Sequence, residues 1–367
     1  MERLVRGVRE LPEGRPAWCA GAVVLAGRGP VVAAEAAAGW ALRYRCYDPE
    51  RDRGIELPRE RWEPMRVGTV FDLASVSKIF TAIAAIQQAE RRGLDLDEEV
   101  RAHLPRFAPG ITVRQLLTHT SGLLPELPFH DRRGRAGQLA PLWEEAAAPS
   151  GPHGTYRYSD LNLIALQLVL EQVTGRRLDT LVQEGITGPL GMSSTSYGPL
   201  APLGVAATED QRRPWAKAER GMVRGEVHDE NAWALGGVAG HAGLFSTAQD
   251  LAVLCRALLN GGAYGTARIL GPDAVRALLD PPGLGFAVDQ RYFMGELAGR
   301  GAAGHCGFTG TSLVLDRATD TFLILLATTV HPVRRNGGSG PRAAAATRLA
   351  RAVACSGRAG GAPVRDP

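Results

Sequence analysis

Ser75 and Lys78 stand three residues apart in Ser75-Val76-Ser77-Lys78, a spacing that brings two side chains to one face of a helix. A serine hydroxyl becomes a nucleophile only when a base takes its proton, and a neighbouring lysine can serve. That lysine carries weight here: of 42 basic residues, only Lys78 and Lys217 are lysine. It also falls in an apolar stretch, where a buried ammonium is costly without partners. At a helix start the dipole disfavours an ammonium and can lower its pKa. Tyr158-Ser159-Asp160 precedes a second apolar helix; a phenol beside an ammonium can act as base and then as acid. His305-Cys306-Gly307 lies on a late strand and Phe308 follows. Amides at Ser75 and Phe308 could form the two-donor hole that acyl transfer needs, and Gly307 would let the backbone come close. The chemistry expected is attack by Ser75 on an ester or amide, with Lys78 and Tyr158 handling protons.

The elements that must position these residues are visible around them. FDLASVSKIFTAIAAIQQAERRG is apolar on nearly all sides up to Gln87, the mark of a buried central helix. Arg91 and Arg92 suit its last turn and Gly93 its end. Ahead of it, Leu4, Val5, Val8 and Leu11 keep a helical period. CAGAVVLAGRGPVVAAEAAAGWALRY reads as two strands about a Gly-Arg-Gly-Pro turn, and 48–66 as a polar loop. Thr112 and Gln115 have capping-box spacing, and Ser246 opens another capped helix ending at Gly261. HCGFTGTSLVLD and TFLILLATTV pair across Arg317–Asp320. An Ala/Arg helix from Pro341 to Cys355 precedes a Gly-rich tail. Strands at both ends with helices between predict an α/β (α+β) fold: an antiparallel sheet flanked by helices, with a mostly helical insertion. The domains expected are 1–72 plus 235–355 for the sheet, 73–234 for the helices and 356–367 as a disordered tail.

In this order, SxxK, then a Tyr-x-Asn-like triplet, then His-x-Gly, the chain resembles the serine β-lactamase and penicillin-binding-protein superfamily, nearest its class C and esterase branch. FDLASVSK, LLTHTSGL, YRYSDLNLIAL, GGVAGHAGLFSTAQDLA and GHCGFTGTS fall in matching order from about Ala20 to His331. The resemblance implies an acyl-enzyme mechanism, a helical domain on an antiparallel sheet, and neither metal nor organic cofactor. It makes Ser75 the nucleophile, Lys78 and Tyr158 the base system, and the Ser75 and Phe308 amides the oxyanion hole.

Two departures from the family pattern bear on substrate. Asp160 stands where members acting on penicillins or D-alanyl peptides usually carry Asn; ionised, it can only accept hydrogen bonds. It would hold Lys78 protonated and move the base role toward Tyr158. Cys306 replaces a Thr or Ser that helps bind a carboxylate, and His305 replaces a permanently charged Lys. Both favour a cytoplasmic esterase, amidase or biosynthetic acyltransferase over a periplasmic penicillinase or cell-wall peptidase, with a β-lactamase or D-alanyl peptidase kept as an alternative. VHDENAWALGGVAGHAGLF also resembles the family's amidases acting on muramyl peptides, and His241 is a candidate for the pocket wall. A non-catalytic binding relative is the rival reading from another class.

A net charge of +4 over 367 residues argues against a nucleic-acid or membrane-surface partner. The partner expected is a small ester or amide, with an amine or alcohol as possible acceptor. Five scattered cysteines without a CxxC pair argue against disulfides and a structural zinc. His228-Asp229-Glu230 with His241 matches no ligand spacing. His119 reads as a buried hydrogen-bonding residue, and Trp143, Trp233 and Phe308 as walls of an acyl pocket or simple packing. The charged first residues lack a signal core and no apolar run could span a bilayer, so the expected location is cytoplasmic.

Overall fold

A computed structural model describes residues 1–359 except 15, 132–134 and 336. Seven strands form one antiparallel sheet: β1 (Gly21–Arg28), β2 (Val31–Leu42), β3 (Glu63–Pro64), β4 (Ala287–Val288), β5 (Ala303–Cys306), β6 (Ser312–Asp316) and β7 (Thr321–Ala327). Their spatial order is β4-β5-β6-β7-β1-β2-β3. The first and last parts of the chain therefore meet where β1 pairs with β7, Ala22 opposite Ala327 and Arg28 opposite Thr321.

Both faces of the sheet are covered, which explains why β1 is apolar without alternation. Val23 and Leu25 face one core, shared with α2 (Ser77–Glu90), α4 (Asp160–Thr174), α5 (Leu178–Val182) and α6 (Ala248–Leu259). Ala22, Val24 and Ala26 face a second core, built with α1 (Glu2–Arg9) and α7 (Gly340–Ala359). The first core runs from the sheet into the helical layer without a break, so 73–234 shares its apolar interior with the sheet. That span also carries short strands that pair within it or at its edges: Ser196–Tyr197 and, just before it, Phe71–Asp72 flank Leu244–Ser246, and Asp210–Gln211 pairs with Gly221–Met222.

Every residue of α2 from Ser77 to Gln88 is buried. Gln87, where the apolar run ends, is buried too, its amide donating to Gly185 O (2.7 Å) and Ile269 O (3.0 Å). The helix ends one residue earlier than its glycine suggests: Arg92 takes the left-handed position (φ 58°), and Gly93 N–H closes back on Gln88 O at 2.9 Å. The capping box at Thr112 opens α3 (Val113–Leu117), and Thr247 caps α6 through Asp250 N.

Two expectations need correction. The segment 48–66 is more than a loop: Tyr44–Asp48 and Arg53–Glu56 form a hairpin, and β3 adds to the sheet edge. The last helix continues beyond Cys355 to Ala359, and the remainder of the expected tail lies outside the described residues. All five cysteines are free. No helix among the described residues is long and apolar enough to cross a membrane.

Candidate active site

Ser75 sits in a single 3-10 turn, Ala74–Val76, just before α2 begins at Ser77. Ala74 is forced to φ 47°, a region that residues with a Cβ rarely adopt. Bonds from three directions hold it there. Asp72 Oδ1 accepts from Ala74 N (2.8 Å), and Leu73 N donates to Leu244 O (2.9 Å). From the turn after β5, the Thr309 hydroxyl donates to Asp72 O (3.0 Å) and the Thr311 hydroxyl to Leu73 O (2.9 Å). The turn can lie so close only because residue 307 is glycine; a Cβ there would collide with Thr311 Oγ1 and Leu73 O.

Lys78, one turn on, is fully buried. Its Nζ lies 2.8 Å from Ser75 Oγ, 2.8 Å from Asp160 Oδ1 and 3.2 Å from His241 O. Such neighbours suit an ammonium, which donates hydrogen bonds and accepts none. Burial works against that charge, but the Asp160 carboxylate and then the Tyr158 phenol outweigh it and hold the pKa above the ordinary lysine range. The downward pull expected of a helix start does not decide the matter here.

Tyr158 comes from the segment leading into α4. Its hydroxyl end interacts with the Lys78 and Ser75 side chains, while 38 % of the residue stays open to the cleft. Burial of the phenol raises its pKa, and the pull of Lys78 offsets this only in part. His119, left-handed at φ 55°, stacks on Tyr158 with ring centroids 4.7 Å apart. Its Nδ1 accepts from Ser159 N at 3.2 Å and lies 3.2 Å from Asn162 Nδ2. Burial and then the Lys78 charge lower its pKa to about 3, so the ring is neutral. His119 thus fixes the tyrosine, a role its sequence setting did not separate from ordinary packing.

A cleft of about 700 Å³ opens over Ser75, Tyr158, His305, Cys306, Gly307 and Phe308. His305 faces Tyr158 (6.1 Å between centroids), and burial followed by the Lys78 charge lowers its pKa to about 4. Cys306 Sγ lies 3.5 Å from the Tyr292 hydroxyl. Phe308 lies in the turn beyond β5 rather than on an edge strand. Neither its N–H nor that of Ser75 has an acceptor among the described residues. Arg342, on the first turn of α7, is buried in the cleft wall and donates to Gly307 O (2.8 Å) and Ser339 Oγ (3.2 Å). It makes no ion pair with a carboxylate among the described residues; its guanidinium lies over the Trp18 ring, and its Nε is without an acceptor.

Other expected site residues lie elsewhere. Lys78, Asp160 and His241 stand behind the cleft wall. His241 does not line the pocket: its side chain is buried on Asp229 (Nε2 to Oδ1, 3.0 Å), and its carbonyl holds Lys78. His241, Asp229 and Asp160 offer one ligand atom each within 4.8 Å, a convergence their sequence spacing concealed. His241 and Lys78 already use these carboxylates, so the cluster has the chemistry of one ion pair and one histidine–carboxylate hydrogen bond. Trp143 packs on Phe107, and Trp233 lines a separate surface hollow. Of the three aromatics expected as pocket walls, only Phe308 is in the cleft.

The Beta-lactamase family profile matches residues 8–348. A putative D-alanyl-D-alanine carboxypeptidase of Escherichia coli (strain K12) is 32% identical over 303 residues, spanning 72% of this chain and 70% of that protein. A class C beta lactamase from Rhodobacter sphaeroides superposes with a TM-score of 0.69 at 20% identity, covering 96% of this chain and 100% of that one. EstCE1, described as a hydrolase with promiscuous acyltransferase activity, superposes at 0.68 with 23% identity over 94% and 98%.

Proposed function

From the premise that this chain belongs to the Beta-lactamase family of serine hydrolases, we propose that it cleaves a small-molecule ester or amide through an acyl-Ser75 intermediate. The observation that carries this is the buried Lys78 ammonium, 2.8 Å from Ser75 Oγ and ion-paired with Asp160 at 2.8 Å. A charged ammonium has no lone pair to receive a proton, so the Ser75 proton is left for Tyr158. In one relay, the Ser75 proton moves to the Tyr158 oxygen as Oγ attacks the carbonyl carbon, while the phenol's own proton moves to the departing amine or alcohol. The Lys78 ammonium stabilises the negative charge that passes through the tyrosine. The free amides of Ser75 and Phe308 would receive the oxyanion. Water then attacks the acyl ester, giving a proton to Tyr158 that returns to Ser75; an amine or alcohol in place of water would make the reaction a transfer.

Arg342 supports a finer reading. A buried guanidinium without a carboxylate partner, opposite the serine, suits a leaving group that bears a carboxylate. A second reading follows from this and from the 32% identical relative: cleavage of a terminal D-alanine from a cell-wall peptide, the released residue supplying that carboxylate. Arg342 would serve the carboxylate of such a leaving group in either reading.

The test is intact-protein mass spectrometry after exposure to a fluorophosphonate. Wild type is expected to gain one adduct that Ser75→Ala lacks, with turnover of any substrate falling by about 10³-fold or more in the variant. A well-folded wild type that gains no adduct would favour the non-catalytic ligand-binding relative. An adduct persisting in Ser75→Ala would mean another nucleophile.

A further inference from the structure

Eight large hydrophobic side chains are conspicuously exposed among the described residues, and four of them line the Ser75 cleft: Tyr156, Tyr158, Tyr292 and Phe308. Phe308 differs from the others in having no polar atom to account for its position. It is 59% exposed, a placement that loses apolar burial unless a ligand restores it.

The ring is also held from behind. The His228 ring stacks against it with centroids 5.6 Å apart and planes at 29°, and the Arg334 guanidinium carbon lies 5.7 Å from its centroid. Both supports converge on one buried carboxylate. Glu209 meets His228 Nε2 at 2.8 Å and takes two bonds from Arg334, Nε to Oε1 and Nη2 to Oε2, each 2.7 Å. Burial alone would raise the Glu209 pKa; hydrogen bonds from His228 and Arg334 win and lower it to about 2. Glu209 is therefore an anion wherever the enzyme works, and its two partners are fixed against Phe308. A ring already ordered loses little entropy when a ligand stacks on it.

We propose that Phe308 is a specificity-determining platform that selects acyl donors bearing a flat, neutral ring. This rests on the acyl-enzyme reading above. Neutrality follows from the backing: Arg334 already draws on the π-electrons of the ring, which weakens its attraction for a second cation and favours an uncharged partner. The acyl side is favoured because the Phe308 backbone amide would hold the carbonyl oxygen, leaving its side chain next to what that carbonyl carries.

The test is kcat/KM for acetyl, phenylacetyl, cyclohexylacetyl and trimethylammonioacetyl esters of one common alcohol. Wild type is expected to prefer the flat phenylacetyl donor over acetyl, over the puckered cyclohexylacetyl and over the cation. Phe308→Ala, which keeps the amide, should lower the ring-to-acetyl ratio about tenfold. Arg334→Ala, which frees the ring without removing it, should lower that ratio by a smaller factor. A ratio unchanged in Phe308→Ala would overturn the platform, as would a shift seen only when the alcohol is varied. Wild type inert toward every ester and toward the fluorophosphonate would instead overturn the acyl-enzyme reading beneath it.

Discussion

An asparagine at position 160 would leave Lys78 fully buried without its counter-ion, and the consequence can be read in two ways. Burial, no longer opposed by the carboxylate, would push the ammonium pKa down. The pH profile of kcat/KM for Asp160→Asn should then gain a limb that rises with pH as Lys78 deprotonates and becomes a base. Wild type should show no such limb up to about pH 10, because its Lys78 stays charged. Thermal unfolding gives the second reading: breaking a buried pair costs about 3–5 kcal/mol. Linkage has a definite sign here. The folded pKa of Lys78 is raised, so its contribution is complete below the unfolded value near 10.4 and is lost as pH climbs through the folded one. Identical profiles for the two proteins would show that Asp160 does not govern the lysine.

The turn after β5 and the strained turn before α2 act as one unit, and Gly307 is where they touch. Gly307→Ala should displace the Thr311–Leu73 contact and with it both amides proposed for the oxyanion, lowering kcat/KM by about 10²-fold. The sheet itself should persist, with a loss of only about 1–3 kcal/mol by calorimetry. Full activity in a well-folded Gly307→Ala would separate the turn from the chemistry. At this scale much was legible in the sequence. The unbroken apolar stretch of α2 announced a central helix, and the Thr112 cap was readable because it is local; the cap of α6 was placed one residue early, at Ser246 rather than Thr247. The hairpin at 44–56 was hidden because Asp48, Arg51, Asp52 and Arg53 dominate a segment whose pairing depends on two short strands. The service of His119 to Tyr158, and of Glu209 to Phe308, joins residues 39 and more positions apart that no periodicity connects. His241 was noticed for its side chain, whereas its backbone carbonyl touches the site.

Acid should loosen the whole molecule through histidines that the fold keeps neutral. His331 accepts at Nε2 from Arg43 N and Tyr44 N, each at 3.3 Å, and its Nδ1–H donates to Thr208 O at 3.0 Å. Burial lowers its pKa to about 4, as it does that of His305, and lowers that of His119 to about 3. Since the unfolded chain binds these protons near pH 6.5 and the folded one does not, each contribution is complete above 6.5 and is lost as pH falls toward the folded value. For His331 the loss amounts to about 3 kcal/mol at most. Glu209, with its folded pKa near 2, adds a loss of the same sign below about pH 4.5. The melting temperature should be level between pH 7 and 9 and fall steadily from about 6.5 to 4; a flat curve to pH 4 would contradict the neutral assignments. The pairing of β1 with β7 has a consequence in time. On the ribosome β1 emerges roughly 300 residues before its partner, an interval of about 15–60 s at ordinary elongation rates of about 5–20 residues per second. Throughout that interval an apolar strand has one long edge unpaired. Synthesis, more than the finished fold, is when this protein is most exposed to aggregation, and slower elongation or a scarcity of chaperones should reduce its soluble yield before it alters its measured stability.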